Sequence, residues 1–173
     1  MYYPNSPNIN KDYKIFFDAN ILIFLFAPSF ISTKKHKQYS YIFNILLENK
    51  NEIYVNSVVI SEFINRCLRI DFEKKFPNKS KRNYKKDYRN SNDYKEIFNI
   101  ILKQLEKFFQ LGAIQINDNF STFNISKECK NTNLDFNDLI IAKNVLDNNL
   151  KLLTDDKDFN NYEGIDTNWY KTI

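Results

Sequence analysis

Four short apolar runs constrain this chain most: KIFF at 14–17, EIYVN at 52–56, AIQI at 113–116 and KLLT at 151–154. Each is bounded by polar residues, as buried strands are, and the stretches between them carry apolar residues at helical spacing. Tyr39, Ile42, Phe43, Leu46 and Leu47 mark one helix within 33–49. Others are expected over 21–26, from 57 to about 72, from about 94 to 111, over part of 119–130, and over 136–148 with Leu139, Ala142, Val145 and Leu146 on its inner side. Ser57 is placed to cap the third helix and Gly112 to stop the fourth. Strands alternating with helices in this way predict an α/β protein, a three-layer α/β/α sandwich around a mostly parallel, Rossmann-like sheet. With 173 residues, 43% of them hydrophobic, the chain is ample for one domain spanning 1–173 and short for two.

Several chemistries are excluded at once. Glycine occurs only at 112 and 164, so no glycine-rich phosphate cradle exists. His36 is the sole histidine and lies in the polar run TKKHKQYS, which reads as solvated. Cys67 and Cys129 lack CxxC spacing and fall in helical patterns, so buried free thiols in a reducing compartment are expected, and a zinc site has too few soft ligands. The apolar stretch over 15–31 is broken by Asp18, Asn20, Pro28 and Ser29, short of the roughly 18 clean residues of a membrane span. The N-terminal residues lack the basic start and apolar core of a signal peptide, and a cytoplasmic location with no membrane partner is expected.

In open sheets of this kind, chemistry gathers at the carboxyl ends of the strands. Asp18 ends the first strand, Asp155 and Asp156 end the last, Asp138 opens the helix before it, and Glu62 lies early in the helix after the second strand. Each has a structural reading of its own. Asp18 fits an Asx-type helix start, Glu62 fits an i,i+4 pair with Arg66, Asp138 fits a capping box with Asp135, and Asp155 and Asp156 fit a turn. Taken together, several carboxylates converging on one cleft repel one another and stay ionised only beside a hard divalent cation, Mg2+ or Mn2+.

These residues resemble the PIN-domain metal-dependent ribonucleases, the VapC-like toxins and their relatives. The likeness rests on FFDANILI for the strand entering Asp-x-Asn, SVVISEF for the Glu after the second strand, NDLIIAKNV for the Asp opening a helix, and LLTDDKDF for the strand entering Thr-x-Asp. The four stand in the family's order over residues 14 to about 160. The resemblance implies that Asp18, Glu62, Asp138 and Asp156 bind metal and carry catalysis, that Asn20 and Thr154 support them, and that Asp158 is a possible fifth acid. It implies an endoribonuclease cleaving single-stranded or structured RNA with water activated by Mg2+ or Mn2+, leaving 5′-phosphate and 3′-hydroxyl ends. It further implies the toxin half of a toxin–antitoxin pair, restrained by an antitoxin protein and capable of homodimerisation. The alternatives are a housekeeping RNA-processing or structure-specific nuclease, and an inactive RNA- or protein-binding module of the same fold. Phosphoacceptor receivers need two acids at the first strand, and haloacid-dehalogenase-like phosphatases need Asp-x-Asp there; Phe17 and Asn20 stand in those places.

One segment departs from the small toxins of that family, which have a compact helical hairpin there. Residues 73–95 carry nine Lys or Arg against three acids, leaving 16 basic against 18 acidic residues elsewhere, so all the excess positive charge is local. Such a patch attracts phosphate backbones. Lys81, Arg82, Lys85, Lys86 and Arg89 are its expected RNA contacts, with Tyr84, Tyr88 and Tyr94 as stacking partners for unpaired bases. A solvated excursion and a dock for an acidic partner are the competing readings.

Overall fold

The structure is a computed structural model that describes residues 9–28, 34–77, 83–130 and 132–170. Its chain order is β1 (Ile15–Phe17), α1 (Ala19–Phe26), α2 (Lys34–Asn49), β2 (Ile53–Val55), α3 (Ser57–Lys75), a π-helical turn (Tyr84–Tyr88), α4 (Asn92–Gln110), β3 (Ile114–Gln115), α5 (Ile125–Glu128), α6 (Phe136–Asp147) and β4 (Lys151–Leu153). The four strands form one all-parallel sheet in the order β3-β2-β1-β4, with helices on both sides. The α/β/α expectation therefore holds. Ile15, Phe16 and Phe17 are fully buried, as a central strand covered on both faces requires.

Local chemistry sets the element ends. Asn56, rather than Ser57, caps α3: its side chain accepts the Val59 N–H at 3.0 Å, while Ser57 is the first helical residue. Gly112 follows α4 with φ +98°, the left-handed conformation a glycine adopts at least cost. After α2 and α6 the same role falls to Lys50 and Asn149, at φ 60° and 51°. There the N–H groups of Asn51 and Leu150 reach back to the carbonyls of Leu46 and Val145 at 2.9 and 2.8 Å. These closures turn each helix directly into the strand that follows.

Several expectations are corrected. AIQI contributes only Ile114 and Gln115 as strand, and the helix expected within 119–130 divides into a 3-10 turn at Phe120–Thr122 and α5. Cys67 is buried as expected, but Cys129 is exposed. His36 is not simply solvated: it is half-buried, with Nδ1 2.6 Å from the Phe24 carbonyl oxygen. Among the described residues no helix is long and apolar enough to cross a membrane.

The basic segment is largely built into the fold. Helix α3 runs on to Lys75, α4 starts at Asn92, and the two helices pack together. Between them Tyr88 is fully buried against Phe72, Phe76, Tyr84 and Tyr94, and its hydroxyl donates to buried Asp71 Oδ2 at 2.6 Å. Tyr88 is thus unavailable to stack on a base. Tyr84 and Tyr94 are half-buried in the same cluster, and the Arg69 guanidinium lies 4.8 Å from the Tyr84 ring centre. Apolar rings recur here without helical periodicity because they converge from three elements. Replacing Tyr88 with Phe removes a hydrogen bond to a buried carboxylate and is expected to destabilise by about 1.5–3 kcal/mol. A lower urea midpoint at unchanged m reads that loss, and an unchanged midpoint refutes it.

Candidate active site

The strand order creates the cleft. The chain steps from β1 to β2 to β3 in one direction and then places β4 on the other side of β1, so the connections diverge at the carboxyl ends of β1 and β4. Asp18 leaves β1 there and Thr154 leaves β4 there, and the Asp18 N–H donates to the Leu153 carbonyl at 3.1 Å.

A small polar network locks these two strand ends. Thr154 Oγ1 donates to Asp18 Oδ2 at 2.6 Å, and Asn20 Nδ2 donates to the same oxygen at 2.7 Å. Asp18 Oδ1 accepts the Ala19 N–H at 2.6 Å, so Asp18 also caps α1. The capping reading of Asp18 therefore holds, and the same carboxylate ties the ends of β1 and β4 together. Asn20 Oδ1 accepts the Asp155 N–H at 3.2 Å, and Thr154 Oγ1 accepts the Asp156 N–H at 2.9 Å. Asn20 and Thr154 thereby orient the loop that carries Asp156.

The other acids arrive from separate elements. Glu62 is exposed on the second turn of α3, while Asp138 on the first turn of α6 and Asp156 after β4 are half-buried. Each lies within the electrostatic reach of the others. Burial pushes Asp18 up to about 6 against the pull of its Thr154 and Ala19 donors, and the charges of Glu62 and Asp156 add to the rise. Burial pushes Asp138 up to about 7, reinforced by Asp135, Asp18, Asp156 and Glu62. Glu62 is raised by partial desolvation and by Asp135 and Asp156, with Arg66 opposing. The charges of the four sequence-derived acids thus act on one another.

Asp135 belongs with them. It reads in the sequence as a capping residue, and it does cap α6, accepting the Asp138 N–H at 3.0 Å. Its charge also acts on Glu62 and Asp138. The available signal was the pair of acids three apart in DFND, which pattern reading assigns to capping. Asp155 takes another course: Tyr39 donates to its Oδ1 at 2.9 Å and Lys35 pairs with the same oxygen, tying it to α2. Asp158 donates its N–H to Asp156 Oδ1 at 2.9 Å, while its side chain borders a separate cavity with Lys127, Lys130 and Tyr162.

The donor set fits a hard divalent cation. It consists of carboxylate oxygens, with an amide and a hydroxyl already committed to orienting Asp18, and it carries like charges whose crowding raises proton affinity. Among the described residues no three of His, Cys, Asp and Glu are spaced as direct ligands of one ion.

A family model described as PIN domain matches residues 15–165, which includes every element from β1 through β4. This chain belongs to the PIN domain family. PIN domains are generally nucleases and generally depend on divalent metals. The PIN domain is similar in fold to the crystal structure of VapBC2 from Rickettsia felis bound to a DNA fragment from their promoter, with a TM-score of 0.54 and 18% identity over 87% of this chain and 94% of that one. A search of curated proteins returns no match.

Proposed function

We propose that this PIN domain is a cytoplasmic, Mg2+- or Mn2+-dependent endoribonuclease, and that Asp18, Glu62, Asp138 and Asp156 hold the metal. The observation that carries the reading is the mutual electrostatic coupling of these four acids at the point where β1 and β4 diverge. Asp18, Glu62, Asp138 and Asp156 would hold the divalent ion, which would supply acidification of water and neutralisation of phosphate charge. The chain's own residues do the positioning. Asn20 and Thr154 hold the Asp18 carboxylate in one orientation through Oδ2, and Thr154 also fixes the backbone of Asp156. Asp135 adds negative charge beside Glu62 and Asp138, which strengthens the demand for a cation.

A toxin held by an antitoxin protein fits the family and the likeness to VapBC2. Incubating the protein with a mixed RNA pool and Mg2+ or Mn2+, with an EDTA control and sequencing of product ends, tests the activity. Metal-dependent products with 5′-phosphate ends support it, and no cleavage with either metal refutes it. A second reading, a module that binds RNA or protein without cleaving, draws on the absence of a three-ligand cluster among the described residues. Calorimetric titration with Mn2+ separates the two, because a dead site takes up no ion.

Lys85, Lys86 and Arg89 are exposed around the π-helical turn and serve in this proposal as RNA backbone contacts. Lys81 and Arg82 lie outside the described residues. Glu62 and Lys75 are thirteen residues apart on α3, so the basic end of that helix lies about 20 Å from the acids along its axis. Replacing Lys85, Lys86 and Arg89 together with Gln is expected to lower the slope of log affinity against log salt by about 2 for long single-stranded RNA. RNA too short to span the separation is cut as before. An unchanged salt slope removes these residues from the interface.

A further inference from the structure

Of the three tyrosines in the basic segment, Tyr88 is fully buried and Tyr84 and Tyr94 are half-buried. Among the described residues only two phenylalanines are exposed, Phe120 at 46% and Phe136 at 43%. They meet edge to face, with ring centres 6.0 Å apart. Both rest on Phe123, at 6.1 and 5.6 Å, and Phe123 packs against the main core. The pair is therefore backed from one side and open on the other.

Its position ties it to the acidic cluster. Phe136 follows Asp135 directly and precedes Asp138 by two residues. Its neighbour Asn137 lines a cavity with Ser57, Ser61, Asn65 and Glu62. A second cavity shares Ser57 and Ser61 and continues along α3 to Gln115, Asn117 and Asp118. The loop that carries Phe120 is tied to this wall, since Asp118 accepts the Ser57 hydroxyl at 3.1 Å and the Phe120 N–H at 3.2 Å.

The two cavities are lined by amides and hydroxyls interleaved with the aliphatic side chains of Val58, Ile60, Ile64 and Ile116 and with the carboxylates of Glu62 and Asp118, and among the described residues no cation stands there to hold a phosphate. Amides and hydroxyls read base edges and ribose hydroxyls, and an exposed ring beside them takes the face of an unstacked base. We propose that Phe120 and Phe136 form a stacking platform for an unpaired RNA base beside the acidic site, with the groove over Ser57, Ser61 and Asn117 guiding the adjoining nucleotides. This rests on the ribonuclease reading and goes beyond it by placing the substrate's bases.

The test uses the full chain in EDTA, so that RNA stays intact, and single-stranded oligonucleotides carrying 2-aminopurine at successive positions. Wild type, F136Y, and the double variant F120L/F136L, which keeps apolar bulk but removes both rings, are compared after melting curves show that each is folded. Wild type and F136Y are expected to quench the fluorophore at a particular position. The double variant is expected to lose that quench and to bind about tenfold or more weakly, the scale of one lost stacking contact. Undiminished quench and affinity in the double variant overturn the platform. So does a double variant that binds RNA normally but no longer holds a co-expressed partner protein, which assigns the face to protein. Wild-type cleavage with Mn2+ is measured in parallel: cleavage without a position-specific quench overturns the platform alone, whereas neither cleavage nor RNA binding overturns the ribonuclease reading with it.

Discussion

Replacing Asp138 with Asn is expected to abolish metal-dependent RNA cleavage and, in the same protein, to raise the melting temperature measured without metal. Loss of a group that merely orients a metal ligand already costs about 10–100-fold. Removal of a ligand carboxylate therefore falls beyond that range. The gain in stability has the same origin. Asp138 is half-buried and faces the charges of Asp135, Asp18, Asp156 and Glu62, which hold its carboxyl at about 7. At about pH 8 the wild-type fold carries this carboxylate ionised and unpaired, and an isosteric amide relieves it. With allowance for solvent screening at a half-buried site the relief is about 2 kcal/mol, or about 4–8 °C in a domain of this size. Cleavage assays and metal-free melting curves on the same preparation check both halves. A fully active variant removes Asp138 from the site, and an unchanged melting temperature shows that its charge is not crowded.

The metal-free wild-type protein is expected to lose stability as pH rises from about 4 to about 8. In the unfolded chain an Asp titrates near 3.8, whereas folded Asp18 and Asp138 titrate near 6 and 7. Between those values the folded state holds more protons, so unfolding is favoured as pH climbs, and the advantage present at about pH 4 is gone once both groups ionise. Asp18 is buried, and its rise alone corresponds to about 3 kcal/mol. With Asp138 discounted for solvent the sum is about 5 kcal/mol, expressed as one coupled transition because the two carboxyls sense each other. Mn2+ competes with those protons. Its stabilising effect should therefore be small at about pH 5 and large at about pH 8. Melting curves across the range with and without millimolar Mn2+ measure this. Stability that is flat or climbing with pH, and a Mn2+ effect no greater at the alkaline end, would show that the acids lie too far apart to share an ion.

Much of the site is legible in FFDANILI and LLTDDKDF because strand-to-loop transitions are local events. A short apolar run followed by Asp or Thr places that residue at a strand end, and Asp18 and Thr154 stand there. Asp156 is distinguished from Asp155 by motif position. The reason for the difference is tertiary: Lys35 and Tyr39, more than a hundred residues away, engage Asp155. Asp135 is hidden by its own success as a cap, since the carboxylate that accepts the Asp138 N–H also places its charge beside Glu62 and Asp138. The basic segment misled in another way. A run rich in Lys, Arg and Asn reads as solvated, yet Tyr88 within it is fully buried, because Asp71 and Phe72 on α3 offer a partner and a surface that composition does not reveal. Phe120 and Phe136 are illegible in the sequence for the converse reason. Phenylalanines are expected inside, and only the folded surface shows two left out.

The amino-acid order determined the elements and their polarity: four short strands, the helices between them, and acids where strands end or helices begin. These follow from side-chain periodicity and capping, which act over a few residues. The tertiary structure decided which strand ends are neighbours, and so that Asp18 and Thr154 meet at the ends of β1 and β4 while the charges of Glu62 and Asp156 reach Asp18 and Asp138. Adjacency in a parallel sheet is set by long crossovers and by burial on both faces, energies that belong to the whole chain and are written in no single segment of it.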